Sequence, residues 1–118
     1  MRGAYSAASV PILLAIGLHL YEHISLSDNG FSPGFFLWAV MPYALCIAGL
    51  ALWPHPLAIG FAATVALAGD FMAHYAVFIH PTSSTAPLIL LFMPIYNTLL
   101  WIPAALLLAH LVRRRLER

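Results

Sequence analysis

The chain contains no lysine, one cysteine and only four acidic residues among its 118 positions. Each shortage excludes something. A single thiol, Cys46, rules out an intrachain disulfide and any thiolate cluster, and within an apolar segment it reads as a small packing residue. With charged residues at 8%, hydrophobic residues at 63% and a mean hydropathy of +0.91, a soluble domain is excluded. Five arginines are too few, and too localised, for nucleic-acid binding to be expected.

What is present are four long apolar runs. Residues Tyr5 to Ile24, Gly34 to Trp53, Leu57 to Ile79 and Pro87 to Val112 each supply at least the roughly 20 residues that a helix needs to cross a bilayer. The connections are short and rich in breakers: Ser25-Leu-Ser-Asp-Asn-Gly-Phe-Ser-Pro33, Pro54-His-Pro56 and His80-Pro-Thr-Ser-Ser-Thr-Ala86. The expected fold is an all-α integral membrane protein, an antiparallel bundle of four transmembrane helices forming one domain over residues 1–118.

The arginines predict its orientation. Arg113, Arg114, Arg115 and Arg118 follow the fourth run and Arg2 precedes the first, whereas the two loops at the other end carry no Lys or Arg. The positive-inside rule then places both termini in the cytoplasm, in a membrane of the bacterial inner (plasma) type. The first run is too long for the apolar region of a signal peptide, so no cleaved leader is expected. The basic tail can touch anionic lipid heads, although setting topology is its simplest role.

Against this background five ionisable residues are out of place: His19, Glu22 and His23 in the first run, Asp70 and His74 in the third. At about 100° per residue, Glu22 and His23 flank His19 on one helix face, and Asp70 and His74 share another. Both faces continue in small or aliphatic residues, Ala8, Ile12 and Ala15 on the first helix and Ile59, Ala63 and Ala66 on the third, which suits close helix packing. Leu20 and Tyr21 point elsewhere. Both runs progress outward, so the five groups are expected to converge in the outer half of the bundle, with His80 near its mouth as a possible sixth.

A lone charge at the bilayer centre costs about 2.5 to 3.5 kcal/mol on insertion scales, so such a cluster must be mutually satisfied or occupied. Imidazole and carboxylate together suit a transition metal such as Cu, Fe or Zn, in a mononuclear site or in a dinuclear one like those of four-helix carboxylate proteins in chemistry only. His19-x-x-Glu22-His23 is not the His-Glu-x-x-His of zinc peptidases, and no protease is expected. Asp70-x-x-x-His74 on a membrane helix is similar to part of the metal site in the third subunit of membrane copper monooxygenases, a likeness of two residues. The expectation is a membrane metalloenzyme or metal-containing subunit, suited to oxidation of a lipophilic substrate if it is catalytic.

Other readings compete with it. The same groups can form hydrogen-bonded pairs that lock packing, or a proton relay. In length, four spans and a single glutamate in the first helix, the chain resembles small multidrug transporters in layout, which implies Glu22 or Asp70 as proton carrier but gives the histidines no role. A third reading is an accessory subunit of a larger membrane complex. Haem b would need level histidines on two helices, such as His23 and His74, beside two carboxylates that suit it poorly. At 12.9 kDa a homo-oligomer or partner membrane subunits are expected.

The remaining polar and sulfur-bearing residues carry weaker signals. Asn97, central in the fourth run, can reach the cluster or bond a neighbouring helix. Met41 and Met93 are possible soft ligands but more ordinary packing residues. Pro42, Pro94 and Pro103 interrupt their runs and free backbone carbonyls. Trp38, Trp53 and Tyr5 read as interfacial anchors. His55 and His110 fall at the arginine-rich end, and Asp28 lies in an outer loop.

Overall fold

The computed structural model describes residues 2–25, 33–53, 55–79 and 88–118, and every element among them is helical. Helix α1 runs Arg2–Ser25, α2 Pro33–Leu52 and α3 Pro56–His74, continued by a π-helical turn at Tyr75–Ile79. The last run is built in three pieces: α4 Leu88–Tyr96, a second π-turn Asn97–Trp101, and α5 Ile102–Leu116. Residues 26–32 and 80–87, which make up most of the first and third expected connections and include Asp28 and His80, lie outside the described residues, as does Pro54 of the second.

Prolines mark the boundaries as their chemistry requires. Pro33 and Pro56 open α2 and α3, where a missing N–H costs no helical bond. Pro94 and Pro103 flank the second π-turn, and neither can donate to the α-helical ladder there. The backbone answers with a wider turn, in which the Ile102 N–H reaches the Asn97 carbonyl.

Four helical segments are long and apolar enough to cross a membrane: Gly3–Ile24, Pro33–Leu52, Pro56–Ile79 and Leu91–Leu116. The first three match the expected spans to within two residues at each end. The fourth continues to Leu116, past the Val112 boundary, because the helix carries on through Arg113, Arg114 and Arg115.

Packing is arranged small side in, large side out. The interior holds Ala8, Ile12 and Ala15 of α1 against Ile59, Ala63 and Ala66 of α3, joined by Tyr43 and Cys46 of α2. Helix α3 is the central element, packing on α1 most extensively and on α5 and α2 as well. At Gly60 the backbones of α3 and α1 nearly touch: a Cβ there would lie 2.9 Å from Ala8 Cα. Large side chains such as Leu13, Leu37, Met72 and Leu99 face outward, as lipid allows and water would not. Leu20 and Tyr21 are exposed, as the helical period predicts.

Candidate functional site

Close packing of small residues on α1 and α3 lets the polar turns beyond them meet. His19, Glu22, His23, Asp70, His74 and Asn97 are all buried, the complete set of buried polar or charged side chains other than Tyr43 among the described residues. They do not form one uniform cluster. Two halves with different chemistry share His19.

Asp70 occupies the first half. Its Oδ2 accepts hydrogen bonds from His19 Nε2 at 3.1 Å and from the Tyr43 hydroxyl, and its Oδ1 accepts from Asn97 Nδ2 at 3.1 Å. The three donors come from α1, from α2 and from the π-turn of the fourth span, so one carboxylate on α3 ties all the spans together. A carboxylate in its ionised form only accepts, and against it Nε2 is the protonated nitrogen of His19. In the neutral ring Nδ1 then carries a lone pair.

That lone pair faces the second half. Glu22 is 3% exposed, and neither of its carboxylate oxygens has a hydrogen-bond partner. Oε1 lies 3.6 Å from His19 Nδ1 and 3.6 Å from His74 Nδ1, too far for a hydrogen bond to either. His74 Nδ1 is likewise unpartnered, and its ring is surrounded by those of Phe71, Phe78 and Tyr21. Two imidazole nitrogens and a carboxylate oxygen thus face one another in an apolar setting. A buried carboxylate left this way is costly as an anion unless a cation joins it or it takes up a proton.

His23 follows a different direction. Its Nδ1 donates to the His19 carbonyl at 2.7 Å, one helical turn back, and its ring packs against Phe35 and Phe36 of α2. Helical periodicity puts it on the right face, and its side-chain torsion takes it off the cluster. His80 lies outside the described residues. Asn97 reaches Asp70, joining the cluster and bonding a neighbouring helix in one contact. Its Oδ1, and the Thr98 hydroxyl beside it, have no hydrogen-bond partner.

Sequence reasoning missed Tyr43. The signal was there: a tyrosine in mid-span, far from the interface where its ring is ordinarily found, needs a partner for its hydroxyl. Of the expected anchors, Trp38 instead donates its indole N–H to the Leu91 carbonyl at 2.9 Å, linking α2 to α4. Met93 packs toward Gly69. His110 is exposed, and His55 meets Arg113.

As the side chains stand, no group of three or more His, Cys, Asp or Glu among the described residues has the arrangement of a metal site. Comparison with family models, with curated proteins and with solved structures gives no match.

Proposed function

We propose that the protein binds one divalent transition-metal ion inside the bilayer, with His19 Nδ1, Glu22 and His74 Nδ1 as ligands and Asp70 orienting His19. The observation that carries this reading is the placement of Glu22 Oε1, 3.6 Å from two imidazole nitrogens with no hydrogen bond to either. Ligand bonds of about 2.0 to 2.2 Å in a tetrahedron give edges of about 3.3 to 3.6 Å, so two of the three edges already have the length a metal needs.

Asp70 supports the same reading. A carboxylate holding the far N–H of a ligating imidazole is the usual second partner of a metal-bound histidine, fixing its tautomer and raising its basicity. Three protein ligands leave a fourth position open. With copper or iron bound, that position suits oxidation of a lipophilic substrate, as in a small membrane metalloenzyme or a metal-containing subunit of a larger assembly. The bundle is read as antiparallel, with both termini on the cytoplasmic face of a bacterial inner membrane and with further copies or partner subunits around it.

Elemental analysis of the protein, purified in mild detergent without chelators, tests the proposal. The expected result is close to one equivalent of metal per chain, lost on His19→Ala, Glu22→Ala or His74→Ala. Less than about a tenth of an equivalent, before and after incubation with Zn(II), Cu(II) and Fe(II), overturns it.

One observation favours a second reading. Glu22, His19, Asp70 and Tyr43 form a series of proton-labile groups from α1 through α3 to α2, hydrogen-bonded from His19 onward and with Glu22 3.6 Å from His19. In a proton-coupled transporter Glu22 would carry the proton and His19 would pass it on. Proton-driven uptake in liposomes that Glu22→Gln abolishes, without bound metal, would establish that reading instead.

A further inference from the structure

A second feature lies at the other end of the molecule and shares no residue with the Glu22 cluster. Between the start of α3, the end of α5 and Ala4 of α1 runs a groove of about 660 Å³, a ligand-sized volume. Its walls are apolar, with Leu57, Phe61, Leu108 and Val112 along them, and its polar groups are His55 and Arg113.

These two basic side chains meet with no carboxylate hydrogen-bonded to either. Arg113 Nη1 lies 2.6 Å from Nδ1 and 2.9 Å from Nε2 of His55. Arg113 Nε is buried and has no hydrogen-bond partner, and the carboxylate of Glu117 is 3.8 Å from it, beyond hydrogen-bond range. The surrounding segment carries Arg114, Arg115 and Arg118 as well, four arginines in six residues against one glutamate.

We propose that this groove binds one anionic phospholipid, its phosphate held by Arg113 and His55 and one acyl chain lying along Phe61, Leu108 and Val112. Charge complementarity names the headgroup: a guanidinium with a free N–H is matched by a phosphate oxygen, and an imidazole beside it supplies a second donor. The apolar walls name the rest of the molecule. They face outward on segments long and apolar enough to cross a membrane, so a bilayer lipid is the phosphate ester that reaches them. Basic pockets between helices at the cytoplasmic surface recognise anionic lipids by this combination.

Native mass spectrometry of the protein in mild detergent, titrated with dioleoyl phosphatidylglycerol or dioleoyl phosphatidylcholine, tests the proposal. The expected first adduct with phosphatidylglycerol is at least about five-fold more abundant than that with phosphatidylcholine. The double variant His55→Gln, Arg113→Gln removes this preference. Val112→Trp, which fills the groove and leaves every charge in place, weakens the adduct. Arg118→Gln, on a residue outside the groove, leaves it intact.

Four results would overturn the site: equal binding of the two lipids, loss of preference in Arg118→Gln to the same degree, an unaffected adduct in Val112→Trp, or displacement of the lipid by 10 mM inorganic phosphate, the last indicating a free-phosphate site. A dimer that persists without lipid and dissociates in Val112→Trp would assign the groove to a second copy of the chain. None of these results bears on metal content, so this site and the Glu22 cluster stand or fall separately.

Discussion

Asn97 and Asp70 meet through one amide-to-carboxylate hydrogen bond of 3.1 Å, which engages the oxygen that His19 and Tyr43 leave open. The bond is also the polar link between the fourth span and the other three at this level. Asp70 is therefore fully engaged, while Glu22, one helical turn along α1 from His19, has no hydrogen bond. Two buried carboxylates in one cluster have opposite situations, and they should respond to substitution in opposite ways.

Asp70→Ala strands three buried donors and is expected to cost at least about 3 kcal/mol, at about 1 to 3 kcal/mol for each donor left unsatisfied. Asn97→Ala removes one interhelical hydrogen bond and should cost about 0.6 to 1.7 kcal/mol, the range of such bonds in membrane proteins. Reversible unfolding in mixed detergent, followed by circular dichroism, measures both. Equal losses would mean that Asp70 is not the common anchor.

Glu22→Gln replaces a carboxylate that makes no hydrogen bond by a neutral side chain of the same shape. Metal-free, the variant should be as stable as the parent or more so, because a buried charge whose nearest imidazole nitrogens are 3.6 Å away is removed at no cost in hydrogen bonds. Its metal content should fall at least ten-fold. A variant much less stable than the parent, compared metal-free, would show that Glu22 has a structural partner in the membrane.

His23→Ala and His74→Ala separate the two histidines that flank the His19–Asp70 pair. His23 has its Nδ1 on the His19 carbonyl and its ring against Phe35 and Phe36, so its loss should leave bound metal close to one equivalent. His74→Ala should abolish binding. The Co(II)-substituted protein offers the readout: its visible absorption should survive the first change and vanish with the second. The opposite pattern would return His23 to the ligand set.

Gly60→Val should be damaging although it lies far from the polar groups. Its Cβ would sit 2.9 Å from the backbone of Ala8, where no flexible side chain can yield, and overpacking of this kind costs about 1 to 3 kcal/mol. Gly17→Ala is the control. Nothing lies within 4 Å of a Cβ at Gly17 in the interior of α1, so alanine there should be tolerated or should stabilise by up to about 1 kcal/mol, its helix-propensity gain over glycine.

Much of this arrangement was legible in the order of residues, for physical reasons that also explain the rest. A 3.6-residue period places Ala8, Ile12 and Ala15 opposite Ile59, Ala63 and Ala66, and the same period carries His19, Glu22, Asp70 and His74 into the same interior. Periodicity assigns a face, however, and not a torsion. His23 has the right face and still turns back to a carbonyl one turn away, a choice made by local hydrogen bonding. Tyr43 escaped because its α2 face carries no other polar residue to mark it, and its role depends on which helix α2 packs against. The prolines announced an interruption in the fourth run, but not that a π-turn would accommodate it with Asn97 at its start.

The anchoring of Asp70 has a consequence for biogenesis. His19 and Tyr43 precede Asp70 in the chain and Asn97 follows it, so during synthesis two of the three donors are made before the carboxylate is. The third helix, which carries the acid, follows helices already equipped to receive it. Arrival of the fourth span then caps the remaining oxygen, making the last helix to be translated the one that completes the anchor.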